Sequence, residues 1–178
     1  MRRLFPLLVF IALALQITAC SQKGNEAEKT QQPGRSSSSF TLIGLDGKKT
    51  GFDEFKGKVV LLEFFATWCY PCEVAAPDIQ HIYNKYKDKG FTVVAVSEDE
   101  GPGAAAAVKK YVQDLGISYP VFMDDAKGGA AKHYGIFGLP TSFIIDREGR
   151  VAAKHSGLSP DMLNEMSREI ETLLKKPQ

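Results

Sequence analysis

The run Val59-Val60-Leu61-Leu62-Glu63-Phe64-Phe65 restricts the folds open to this chain more than any other stretch. It has the length of a strand and no polar face, so it must be covered on both sides. Ala66-Thr67-Trp68 then leads into Cys69-Tyr70-Pro71-Cys72. From Glu73 to Lys87, Val74, Ile79, Ile82, Tyr83 and Tyr86 recur at helical spacing until Lys89-Gly90 stops the pattern. A buried strand feeding a helix through two cysteines puts the thiols where strand carboxyl ends meet helix amino ends, the usual place for chemistry in α/β proteins.

The same alternation runs through the rest of the chain. Phe40 to Phe52 alternates around an Asp46-Gly47 turn and reads as a hairpin. Phe91–Val96 is a second buried strand, followed by a helix over Ala104–Leu115. A third strand is predicted over Ser118–Met123 and a short helix over Ala126–Tyr134. "PTSFIID" and "RVAAKHS" pair around Glu148-Gly149, and Asp161–Lys176 closes the chain as an amphipathic helix. The order implies an α/β fold with a mixed central sheet and helices on both faces. There is no internal repeat.

Residues 1–19 do not belong to that fold. Met1-Arg2-Arg3, the apolar run Leu4–Ile17 and Thr18-Ala19 have the layout of a secretory signal, and about 14 apolar residues fall short of the ~20 a membrane span needs. Ile17-Thr18-Ala19-Cys20 resembles the lipobox of bacterial lipoproteins, which implies cleavage before Cys20 and a lipid on that cysteine, anchoring an exported protein to a membrane. Residues 20–39 are rich in Ser, Gln, Gly and charge, and read as a flexible tether reaching on average ~25 Å. The folded unit spans residues 40–178, and 178 residues at 44% hydrophobic content suit one such domain plus an appendage. A net charge of +1, with basic residues scattered along the chain, argues against nucleic acid as a partner.

Two thiols at this spacing can form a disulfide, share a metal or hold a haem. A c-type haem site needs histidine after the second cysteine, where Glu73 stands. Zinc needs two more ligands, and there is no second cysteine pair. Copper(I) on two thiolates and an imidazole competes with redox chemistry, as does an inert structural disulfide. His81, His133 and His155 have no metal-ligand spacing to one another, so no metal site is assigned. In the first helical turn Cys69 meets unpaired N–H groups and the positive end of the helix dipole, which favour thiolate. Cys69 is therefore expected to be the acidic, exposed nucleophile and Cys72 the shielded resolving thiol.

"EFFATWCYPC" resembles the active-site strand and helix start of thioredoxins. The domain as a whole resembles the TlpA-like thiol-disulfide oxidoreductases of ResA and CcmG type. Trp68, Pro77 five residues after Cys72, "GLPTSFIID" and the lead-in "LDGKKTGFDEFKGKVVLLEFFATWC" carry the likeness, over about Phe40–Leu174. It implies a thioredoxin-like fold with an N-terminal hairpin and a helix-containing insertion between Ser97 and Ser118. It also implies a cis Pro140 beside the cysteines, Leu139 offering its backbone to an extended substrate, and no cofactor beyond the Cys69–Cys72 disulfide. The implied partners are envelope protein thiols and disulfides, apocytochrome c among them, and a membrane electron-transfer protein as reductant.

Thiolate chemistry then sets the mechanism: Cys69 attacks a partner disulfide, and Cys72 releases the reduced partner. Glu63, six residues before Cys69 where thioredoxin carries a buried acid, is the candidate base for Cys72, and burial is expected to raise its pKa. Several TlpA-like reductases carry an acid three residues after the second cysteine, where this chain has Ala75. Pro71, in place of the histidine of strong oxidants, favours reductase over oxidase or isomerase. Trp68, Tyr70 and Pro71 are expected to border the substrate.

Overall fold

The computed structural model describes residues 40–125 and 129–176. The signal, Cys20 and the tether lie outside them, as do residues 126–128 at the start of the third predicted helix. Seven strands, β1 (Thr41–Gly44), β2 (Lys49–Gly51), β3 (Val59–Phe65), β4 (Phe91–Ser97), β5 (Val121–Met123), β6 (Thr141–Ile145) and β7 (Val151–Ser156), join in one sheet ordered β2-β1-β5-β4-β3-β6-β7. β3, β4 and β5 run parallel, and the outer pairings are antiparallel, so the sheet is mixed. The helices are α1 (Tyr70–Tyr86), α2 (Ala104–Asp114), α3 (Ala130–Tyr134) and α4 (Met162–Leu174). No helix of the described residues is long and apolar enough to cross a membrane.

β3 lies inside the sheet with all seven residues buried, which is why its sequence shows no polar face. Side chains alternate across a strand. Val59, Leu61 and Phe65 pack with Ile79 and Ile82 of α1, Val108 of α2, and Met166 and Ile170 of α4. Val60, Leu62 and Phe64 meet Phe40, Phe52, Ala130 and Tyr134 on the other face. Each such fully buried side chain contributes about 1.5–3 kcal/mol, so this double-sided strand anchors the domain.

Where the predicted and the observed end both lie among the described residues, two boundaries differ most from the sequence expectation, by three residues each. α1 begins at Tyr70 rather than Glu73, because Cys69 takes the capping position and Pro71, lacking an N–H, loses nothing in a first turn. β5 begins at Val121 rather than Ser118, since Pro120 has no N–H for a ladder and only its carbonyl is used, accepting from Ala95. Pro77 lies within α1 with no N–H to return to the carbonyl four residues back.

The link between β3 and α1 is fixed from the neighbouring strand end. Asp99 accepts from the Thr67 N–H at 2.8 Å, the Thr67 hydroxyl at 2.6 Å and the Ser97 hydroxyl at 2.7 Å. The Glu98 N–H donates to Phe65 C=O at 2.8 Å. Residues 97–99 thus hold the turn that presents the cysteines.

Candidate redox site

Cys69 caps α1 from an extended conformation (φ −92°, ψ 95°), and the 17-residue helix directs its first turn at it. The Cys72 N–H donates to Cys69 Sγ at 3.3 Å and to the Cys69 carbonyl at 3.0 Å. The two cysteines form a disulfide, with Cα atoms 5.3 Å apart. Opening it would leave Cys69 sulfur under an amide donor and the helix dipole, both of which favour thiolate. Cys72, in the first turn, is 1% exposed and packs with Ala75 and Ile79. The expectation of an exposed Cys69 needs correction: it is buried, at 6% exposure. Cys69 lines a groove together with Trp68, Tyr70, Pro71 and residues 136–139 far along the chain.

That groove, about 520 Å³, is lined by Trp68, Cys69, Tyr70 and Pro71 from the start of α1, by Ile136, Phe137, Gly138 and Leu139 from the later loop, and by Glu98. Trp68 is 71% exposed, Tyr70 74% and Phe137 99%, an aromatic rim left in solvent by a fold that buries most of its other large apolar side chains. The Leu139-Pro140 peptide is cis. Thr141 Oγ1 donates to Gly138 C=O at 2.7 Å and Gly157 N–H to Pro140 C=O at 2.9 Å, which secures this loop. Among the described residues the Leu139 backbone makes no hydrogen bond of its own, leaving it open to an extended segment.

Glu63 is 2% exposed. By strand alternation it shares the face of β3 with Leu61 and Phe65, the face packed against α1 and Cys72. Its neighbours in register are Ala95 on β4 and Ser142 on β6, neither charged. Burial alone pushes its pKa up to about 8. Ala75 is 1% exposed in the same cluster.

Three features escaped sequence reasoning. Tyr111 and Tyr119 lie within electrostatic reach of Glu63, and burial followed by its charge holds both phenols protonated. Phe137 could have been flagged as an aromatic standing one residue before a glycine in "GIFGLP". Glu98 is half-buried with its Oε1 enclosed and without a hydrogen-bond partner; burial, then Asp124 and Glu100, raises its pKa to about 7. Only its place at the end of a strand beside β3 hinted at it.

The histidines do not converge. His81 is exposed on α1, while His133 packs on the rings of Phe40 and Tyr134 and does not line the groove. His155 Nε2 lies 2.8 Å from Glu169. Among the described residues no cluster of three His, Cys, Asp or Glu side chains is placed to hold a metal ion.

Residues 22–174 match the Redoxin family model. The thiol-disulfide oxidoreductase ResA of Bacillus cereus is 35% identical over 177 residues, 98% of this chain and 96% of that protein. A thiol:disulfide interchange protein of the thioredoxin family from Chlorobium tepidum superposes with a TM-score of 0.63 at 31% identity, over 81% of this chain and 98% of that one. The thioredoxin domain of a thiol-disulfide oxidoreductase from Bacteroides vulgatus gives 0.68 at 27% identity, over 79% and 99%.

Proposed function

Because this chain belongs to the Redoxin family, as a thioredoxin-fold thiol-disulfide oxidoreductase of ResA type, we propose that it reduces disulfides of proteins in the bacterial cell envelope. The observation that carries the reading is Cys69 at the helix cap, its sulfur under the Cys72 N–H, lining an aromatic-rimmed groove.

In the reduced protein the Cys69 thiolate attacks one sulfur of a partner disulfide, forming a mixed disulfide and releasing the other sulfur. Cys72 then loses its proton to Glu63 and attacks Cys69, which frees the reduced partner and restores the Cys69–Cys72 disulfide. A carboxyl with pKa about 8 can take and return a proton near neutrality, which suits this role. Trp68, Tyr70, Pro71, Leu139 and Pro140 seat the partner: the rings cover its apolar side chains, and the Leu139 backbone pairs with its extended main chain. The disulfide itself is the only redox group the reaction needs.

Cys20 carries a lipid that tethers the domain to the membrane, facing the periplasm, with residues 20–39 as the leash. Partners are envelope proteins with exposed disulfides, of which apocytochrome c is one, and a membrane electron-transfer protein returns two electrons to the pair.

The reduction potential of the Cys69–Cys72 couple tests the direction. Equilibration in thiol buffers, with free thiols trapped by an alkylating tag, is expected to give a value near or below about −220 mV, towards thioredoxin at ~−270 mV. A value near the ~−120 mV of DsbA would make the protein an oxidant. Stoichiometric copper(I) bound through both thiols, with no reversible couple, would replace the redox reading altogether.

A further inference from the structure

Glu98 has no part in the chemistry described so far, yet it stands in the groove. Among the described residues it is the only acid lining the groove, and no cation lines the groove beside it. The Glu98 N–H bond to Phe65 C=O, at 2.8 Å, fixes its backbone at the end of β3, four residues before Cys69. Asp99 next to it is committed to Thr67 and Ser97. Glu98 is therefore the carboxyl of this loop that lines the groove, whereas Glu63 is buried in the core at 2% exposure.

The surroundings keep Glu98 protonated where other glutamates are not. Its Oε1 is closed off without a hydrogen-bond partner. The facing charges are Asp124, beyond β5, and Glu100 on its own loop. Asp124 is held as an acceptor by the N–H groups of Ala130 at 2.7 Å, Ala131 at 3.0 Å and Asp125 at 2.8 Å. A second anion beside a pinned carboxylate is disfavoured, and the pKa of about 7 reflects burial first, then the charge of Asp124 and a side-chain hydrogen bond with it, and last the charge of Glu100. Among the other residues lining the groove the titratable groups are Cys69 and Tyr70; residues 136–139 have none.

We propose that Glu98 is the general acid that protonates the sulfur leaving the substrate. This rests on the reductase reading above. As the Cys69 thiolate bonds to one substrate sulfur, the substrate S–S bond breaks and its electron pair stays on the other sulfur. That thiolate takes the proton from the Glu98 carboxyl and leaves as a thiol, and Glu98 recovers a proton from solvent before the next turnover. The two acids divide the work: Glu63 takes a proton from the resolving thiol inside, and Glu98 gives one to the leaving thiol outside. Thiols of high pKa leave slowly as thiolates, so the help matters for alkyl disulfides and not for aromatic ones.

The test is a single-turnover comparison of the full chain in detergent, reduced at Cys69 and Cys72, with wild type, Glu98→Gln and Glu98→Asp. One oxidant is an alkyl-disulfide peptide and the other is the aromatic disulfide 5,5′-dithiobis(2-nitrobenzoate). Glu98→Gln is expected to slow the peptide reaction about 100-fold at pH 6, the lower end of the range for proton transfer in catalysis. The deficit fades above pH 8, where Glu98 has lost its proton in the wild type as well. The aromatic disulfide reacts equally with both proteins, and Glu98→Asp recovers part of the peptide rate. Equal peptide rates at pH 6, or an equal loss on both oxidants, would overturn the assignment and leave the reductase reading standing. Failure of reduced wild type to act on either oxidant would overturn that reading itself.

Discussion

Replacing Glu63 by glutamine is expected to make the protein more stable as pH rises, and the size of the effect follows from burial. Below pH 4.5 the residue is protonated in both folded and unfolded chains and its ionisation costs nothing. Between 4.5 and about 8 the unfolded chain gives up its proton while the folded chain keeps it, so stability falls by about 1.4 kcal/mol per pH unit. The accumulated penalty is about 3 kcal/mol at pH 7 and levels off at about 5 kcal/mol above pH 8. Glutamine cannot ionise and carries none of it, although burying its amide adds an offset that does not depend on pH. Denaturant unfolding of the oxidised protein at pH 5, 7 and 8.5 measures the gap between the two proteins without interference from the thiols. The gap is expected to move in favour of Glu63→Gln by about 2–3 kcal/mol from pH 5 to 7 and to level off near pH 8.5. A gap constant with pH would mean that Glu63 ionises freely in the folded state, and the argument for its role as base would fall with it.

Three other perturbations read other parts of the site. Asp99→Ala leaves the Thr67 amide and hydroxyl without their acceptor; a loss of about 1.5–3 kcal/mol in denaturant unfolding is expected, with slower disulfide exchange as the turn before Cys69 loosens. Cys72→Ser is expected to accumulate a mixed disulfide with a partner on non-reducing gels, whereas Cys69→Ser captures none, since Cys72 is enclosed. Phe137→Ser, at a side chain 99% exposed, is expected to change stability by less than about 0.5 kcal/mol while raising KM for a peptide disulfide with kcat little altered.

What the sequence revealed of the fold and site was local. β3 and α1 were legible because seven consecutive residues without a polar face and a 3.6-residue apolar period each have one low-energy solution. Glu63 was legible for the same reason: a lone charge inside a strand covered on both faces has to be buried. What sequence reasoning missed or misread depends on residues far apart in the chain. Cys69 belongs to the core cluster against which Leu139 packs, so its capping position predicted an exposure that tertiary packing removes. Glu98 reaches the groove because β4 pairs in parallel with β3 and ends beside it, a relation that no periodicity along either strand encodes. His133 precedes the loop in sequence, yet its ring turns to Phe40 and Tyr134 on the opposite face of the sheet.

The alanine at position 75 bears on why Glu63 can serve at all. Ala75 and Cys72 share the core cluster that covers the Glu63 face of β3, and Ala75 is 1% exposed. A glutamate there would bury a second carboxyl over the same face, and two carboxyls in one low-dielectric site resist ionising together. Ala75→Glu is therefore expected to push the titration of Glu63 further up, so that less of it is ionised to accept the Cys72 proton at pH 7. Release of the mixed disulfide would slow and its pH profile would move to higher pH. Overpacking is a separate cost, and the double variant Ala75→Glu, Glu63→Gln distinguishes the two. If electrostatic competition dominates, the double variant recovers stability at pH 8 relative to Ala75→Glu alone, because a single buried acid remains. If the two variants stay equally unstable at pH 8, the penalty is steric, and the alanine reflects packing around Cys72 rather than the choice of base.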